Sequence, residues 1–108
     1  MTHKIFLEGE LAARFGYEFS FSGNTVQDAL KCIEANRPEF RAYFMEAHER
    51  DIAFSVKVQG NSIDAVEECI LPIAKGDIVI VPVPAGSKSG ESKLLTAIAI
   101  ASLFFVGS

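Results

Sequence analysis

The sequence predicts an α+β fold: a mixed sheet with one main helix across a face, and an apolar extension at the C-terminus. Three observations predict it. Apolar and polar residues alternate over 17–22 and again over 52–59, the period of strands with one wet face. Between them Val26, Ala29, Leu30 and Ile33 fall at i, i+3, i+4 and i+7, the stripe of an amphipathic helix. Further on, Ile78-Val79-Ile80-Val81 is an unbroken β-branched run, which reads as a strand covered on both faces.

Taken in order, His3 to Glu8 reads as a first strand, with Ile5 and Leu7 on one face and Phe6 on the other. Residues 8–16 read as a connection closed by Gly9 and Gly16. Tyr17, Phe19 and Phe21 alternate with Glu18, Ser20 and Ser22 in the second strand, and Ser22-Gly23-Asn24 turns the chain. Thr25 suits a helix N-cap, and Asp28 three residues on adds negative charge to the first turn. Pro38 limits that helix, because the residue before a proline resists the helical region. Phe40, Phe44 and Ala47 suggest a short second helix or turn. Ile52, Phe54, Val56 and Val58 mark the third strand, Gly60-Asn61 a two-residue turn, and residues 62–65 a short partner strand. Residues 69–73 cross back, Lys75-Gly76-Asp77 turns, and Ile78-Val81 is the last strand, ended by Pro82 and Pro84. Strand, strand, helix, strand, short strand, strand, with the last lying parallel beside the first, is the ubiquitin-like β-grasp arrangement. The chain thus divides into a β-grasp domain (1–85), a Gly/Ser/Lys hinge (86–93) and an apolar C-terminal segment (94–108).

Charge narrows the function. Residues 1–85 hold eight Lys/Arg against thirteen Asp/Glu, and residues 86–108 hold Lys88 and Lys93 against Glu91. An acidic body without a basic stripe disfavours nucleic acid as a partner. Cys32 and Cys69 lie far apart without metal-ligand spacing, and read as free thiols of a reducing compartment, with a disulfide as the alternative. The polar start turns directly into a strand pattern, which gives no sign of a signal peptide.

Candidate chemistry is sparse, and no catalytic, cofactor-binding or metal-binding residues are expected. His3 and His48 read as edge or surface residues, and the two cysteines as small buried hydrophobes. Glu67-Glu68 and Glu46, Glu49, Asp51 stand in polar stretches near Lys and Arg and read as solvated faces rather than acid–base pairs. Gly86-Ser87-Lys88-Ser89-Gly90 lacks the first glycine and the spacing of a phosphate loop and reads as a hinge, with Gly86 and Gly90 as its pivots.

The hinge leads into thirteen residues without charge, 94–106. As a helix they would span about 20 Å, too short for a bilayer core of about 30 Å, so no stable membrane span is expected. Three arrangements would shelter them: folding back on the domain, lying in a membrane, or docking into a partner. Small residues throughout suit close packing, and the absence of a polar face argues against a surface helix. Docking is the expectation, through Leu94, Leu95, Ile98, Ile100, Leu103, Phe104 and Phe105.

Two families share this pattern. The chain resembles the tail assembly protein I family of lambda-like long-tailed phages nearly throughout. The residues that carry the resemblance are Ile5-Phe6-Leu7-Glu8-Gly9-Glu10-Leu11 with Arg14-Phe15-Gly16, the helix Thr25-Val26-Gln27-Asp28-Ala29-Leu30, Pro38-Glu39-Phe40-Arg41, and Ile78-Val79-Ile80-Val81-Pro82-Val83 before the 86–90 link and its apolar stretch. Members of that family usually continue further at the C-terminus. The resemblance implies a non-enzymatic role in building the phage tail tip, beside the tip's central attachment protein and other tail-tip proteins. It places the protein in the host cytoplasm during assembly and at the tail tip of the virion. Residues 75–86 are also similar to the closing strand of the ubiquitin-like sulfur carriers. Those carriers act through a free C-terminal Gly-Gly, whereas Gly86 here is followed by Ser87. This alternative therefore stands behind the first, and the shared piece reads as shared fold.

Overall fold

A six-stranded mixed sheet organises the chain among the residues that the computed structural model describes, 2–84 and 93–105. In chain order the elements are β1 (Thr2–Leu7), α1 (Gly9–Phe15), β2 (Glu18–Ser22), α2 (Val26–Asn36), α3 (Glu39–Glu49), β3 (Ile52–Val58), β4 (Asn61–Ile63), a 3-10 helix (Val66–Ile70), β5 (Ile78–Pro84), β6 (Leu95–Thr96) and α4 (Ala97–Ser102). Across the sheet the strands run β2-β1-β5-β3-β4, with β6 also on β3. β1 and β5 are parallel, and the remaining pairs are antiparallel. The α+β class and the parallel placing of the 78–81 strand, here β5, beside the first are as the sequence predicts, and the architecture is β-grasp-like.

Local chemistry accounts for the elements. Thr25 and Asp28 close a capping box on α2: the Asp28 amide donates to the Thr25 hydroxyl at 2.9 Å, and the Thr25 amide to the Asp28 carboxylate at 3.2 Å. Two orphan donors of the first turn are thereby satisfied. Val26, Ala29, Leu30 and Ile33 are the buried face of that helix. The β3–β4 hairpin turns on Gln59-Gly60, both at positive φ, one residue earlier than the Gly60-Asn61 reading. A two-residue loop of this hand matches the twist of its strands.

Four expectations are corrected. Residues 9–15 form a helix, not a plain connection, and bury Leu11 and Phe15. Residues 66–70 form a 3-10 helix that buries Cys69. β5 runs through Pro82 to Pro84 instead of stopping before them. Its pairing with β1 ends at Ile80, while β3 accompanies it to Pro84, so the prolines sit where β5 has become an edge on the β1 side and no amide is needed there. Nor is β5 covered on both faces: Ile78 and Ile80 are fully buried, whereas Val79 and Val81 are half-buried on the face without helices. The β-branched run reflects cross-strand packing as much as burial.

The core lies between the sheet and the helices. Ile5, Leu7, Phe54, Val56, Ile78 and Ile80 rise from the sheet, and Leu11, Phe15, Leu30, Ile33, Phe40, Tyr43 and Phe44 descend from α1, α2 and α3. Aromatic rings meet edge-on at the centre, Phe15–Phe40 at 5.1 Å and Phe40–Phe44 at 5.2 Å. Such pairs contribute about 0.5–1.5 kcal/mol each beyond their buried area.

Candidate interaction surface

The apolar C-terminal segment determines where this surface lies. β6 pairs with the start of β3, Thr96 opposite Ala53 and Leu95 opposite Phe54. Thr96 then caps α4, its hydroxyl accepting from the Ala99 amide at 3.1 Å. α4 packs on α3, and Phe104 stands edge-on to Phe40 at 5.9 Å. The Gln27 side chain donates to the Leu103 carbonyl at 2.9 Å, which ties the segment to α2.

This overturns the expectation for most of the proposed docking residues. Leu95, Ile100, Leu103 and Phe104 are buried in the protein's own core together with Ala97 and Ala101, and Leu94 is half-buried. The segment folds back on the body, where the α3 rings and β3 leave an apolar flank that β6 and α4 fill. The segment does have an outer face: Ile98 is 43% exposed and Phe105 67% exposed. The hinge positions Gly86 and Gly90 lie outside the described residues.

The outer faces of α3 and α4 form one surface. Phe105, just past α4, lies over the Arg41 guanidinium near the start of α3, at 5.1 Å. Ile98, at the start of α4, shares a cleft of about 160 Å³ with His48 near the end of α3. The two helices therefore run antiparallel, and Met45, 43% exposed, lies on α3 one turn beyond Arg41. Three exposed apolar side chains with Arg41 and His48 make an apolar patch with a polar rim, the composition of a contact surface.

A polar network stands on another side. Glu10 of α1 accepts from the Tyr43 hydroxyl at 2.7 Å and from Arg50 at 2.7 Å. Arg50 first, and then Tyr43, hold the Glu10 carboxyl below the usual carboxylate range. Burial first, and Glu10 next, push the Tyr43 phenol up. Beside them a cleft of about 280 Å³ is lined by Gly9, Glu10, Arg50, Ile52, Pro82 and Pro84. The network ties α1 to the end of α3.

The other residues singled out in the sequence are placed as follows. His48, Glu46, Glu49, Asp51, Glu67 and Glu68 are exposed. Cys69 is fully buried and Cys32 half-buried, both as free thiols, and burial pushes the Cys69 thiol up to about 11. His3 is not an edge or surface residue: it is buried, stacks on Phe21 at 5.7 Å, and its Nδ1 lies 2.9 Å from the Gly76 carbonyl. Position two before Ile5 in β1 puts it on the core face, which the strand period could have told. Met45 stands out only by its exposure on α3, which no sequence pattern marks. Among the described residues no helix is long and apolar enough to cross a membrane, and no group of three or more His, Cys, Asp or Glu could hold a metal ion. No family model, curated protein or solved structure matches the chain.

Proposed function

We propose that the protein is a non-enzymatic assembly module of a long-tailed phage tail tip. It docks to neighbouring tip proteins, the central attachment protein first among them, through the outer face of α3 and α4. The observation that carries the docking reading is the exposure of Ile98, Phe105 and Met45, 43%, 67% and 43%, on or just past two helices that pack against each other. Two further points support the tail-tip context: the β-grasp-like sheet, and the run of residues through which the chain resembles the tail assembly protein I family.

Contact is then made by a rigid surface, not by a segment that leaves its own domain. The buried residues of the segment hold α4 in place, and the exposed ones meet the partner. Aromatic and aliphatic anchors at the centre of such a patch carry most of the affinity, and Arg41 and His48 supply orientation from the rim.

The test is co-expression with the tail-tip proteins of the same phage, followed by co-purification and electron microscopy of tails. The doubly substituted Ile98→Asp, Phe105→Asp protein is expected to keep its thermal transition and to lose both capture of a tip protein and tail formation. Asp at position 98 falls in the first turn of α4, where negative charge is favourable. Tails that assemble normally with the folded double variant would overturn the reading.

A further inference from the structure

The two edges of the sheet are finished differently. On the far side, β3 is covered by β4, three residues long, and β6, two residues long. Short strands of this kind are a common protection against edge-to-edge pairing. On the near side the sheet ends in β2, five residues with no proline, no lysine and exposed positions at Glu18, Ser20 and Ser22.

The register shows which backbone groups that edge offers. The Leu7 amide donates to the Tyr17 carbonyl at 2.8 Å, so Leu7 and Tyr17 form a hydrogen-bonded pair of the antiparallel ladder. Such pairs recur every second residue, which makes Ile5–Phe19 and His3–Phe21 hydrogen-bonded pairs as well. The N–H and C=O groups of Glu18, Ser20 and Ser22 therefore point away from β1. Among the described residues no backbone hydrogen bond outside the ladder reaches them.

We propose that this edge pairs antiparallel with β2 of a second copy, about a twofold axis at Ser20. In that register Ser20 faces Ser20 of the second copy, and Glu18 faces Ser22 of the second copy. It is the register that uses all three outward-pointing residues of both strands, each pair exchanging two N–H···O bonds. Sliding the strands until Glu18 faces its own copy would set like charges directly opposite, which is unfavourable, and would leave outward groups unpaired. In the proposed register Glu18 meets an uncharged serine and keeps its ion pair with Lys4 at 3.0 Å. On the other side of the sheet, the half-buried Phe19 comes opposite Phe21 in a non-hydrogen-bonded pair, where cross-strand side chains are closest. An edge of this length is smaller than a standard interface, so the dimer is weak and concentration-dependent. It leaves the α3–α4 surface free and does not rest on the proposed docking role.

Sedimentation velocity from about 10 µM to about 1 mM, the range a small interface calls for, is expected to move the mass from 11.7 kDa toward twice that value. Amide exchange at Glu18, Ser20 and Ser22 is expected to slow over the same range. Ser20→Asp sets two carboxylates face to face on the twofold axis and should keep the chain monomeric with its thermal transition unchanged. Ser20→Pro removes the central amide and should do the same. A wild type that stays monomeric at the highest concentration would overturn the proposal. So would a dimer that Ser20→Asp leaves intact, or one that slows exchange elsewhere than β2. A dimer abolished by Ile98→Asp with Phe105→Asp, but not by Ser20→Asp, would put the self-contact on α3 and α4 and would equally overturn it.

Discussion

Residues 2–84 and residues 93–105 end in the same core, but the first announce their place and the second do not. α2 has a capping box, a helical stripe and a proline near its end. α4 has six residues, one Thr cap and no charged side chain, with Ser102 its single polar residue. A stripe records which side of a helix faces water. A segment without a stripe records only that water is unfavourable, and leaves open which protein excludes it. Here the shelter is its own body: β6 hydrogen-bonds to β3, and Phe104 closes the aromatic cluster of α3.

The sharpest way to break this comparison is to remove the second region. Truncation after Lys93 strips Leu95, Ile100, Leu103 and Phe104 from the core. Each such side chain contributes about 1.5–3 kcal/mol by burial, against a total stability of about 5–15 kcal/mol for a domain of this kind. The truncated chain is expected to lose cooperative thermal unfolding, read by circular dichroism. A truncated protein that melts as sharply as the full chain would show that the body stands alone and the segment is an accessory.

Single substitutions sharpen it next. Ile33→Ala in α2 and Ile100→Ala in α4 remove comparable buried side chains, 2% and 1% exposed. If both regions belong to one core, each should cost about 2–5 kcal/mol in chemical denaturation. A much smaller cost at Ile100 would mean that α4 frays away independently of the rest.

The same contrast explains what was legible in the sequence. Alternation at β2 and β3 and the stripe of α2 are periodic burial patterns and marked two strands and the main helix, while the unbroken β-branched run marked β5 by strand propensity, and the order of elements placed it parallel to β1. α1 was not legible, since Leu11 and Phe15 are the two large apolar residues between Gly9 and Gly16 and their burial depends on β5 and α3. The prolines of β5 were read as terminators because sequence does not say where a neighbouring strand stops. For the surface, Ile98 and Phe105 were named, but among residues that are their opposite in burial. Only the side of α4 that meets α3 separates the two sets, and Met45 lies outside the segment, on α3.

Helix caps test the comparison at smaller scale. Thr25→Ala removes the acceptor for the Asp28 amide, and Thr96→Ala the acceptor for the Ala99 amide. Each cap is worth about 1 kcal/mol. Thr25 also forms half of a capping box, so the loss in α2 should equal or exceed that in α4. A larger loss at Thr96 would mean that the short helix depends on its cap more than on packing.

Electrostatics supplies a smaller effect that belongs to the body alone. Glu10 has its carboxyl held below the ordinary value of 4.5 by Arg50 and Tyr43. A group whose folded value is depressed adds stability that is fully present above its unfolded value and is lost as pH falls through the folded one. Glu10→Gln should therefore lower stability at neutral pH, and the gap to wild type should close as pH drops below about 4.5, the value of a carboxyl free of such partners. A gap that is constant with pH would assign the loss to hydrogen-bond geometry rather than to charge. The pair is partly exposed, so the effect should also shrink with added salt.

The smallest expected effect is at the tip of the second region. Phe105 is 67% exposed, and beyond its contact with Arg41 it covers little of its own chain. A cation–π contact at an exposed site contributes about 0.5–1 kcal/mol at most, and surface substitutions generally fall within about 0.5 kcal/mol. Phe105→Ala should therefore leave the unfolding free energy nearly unchanged while Phe104→Ala, one residue earlier, lowers it by about 3–5 kcal/mol. That step between adjacent phenylalanines is the strongest local statement of how the segment is divided, one ring serving the core and the next facing outward. If the two substitutions cost the same, α4 is not seated as described, and Phe105 has no claim to be a contact residue rather than part of the fold.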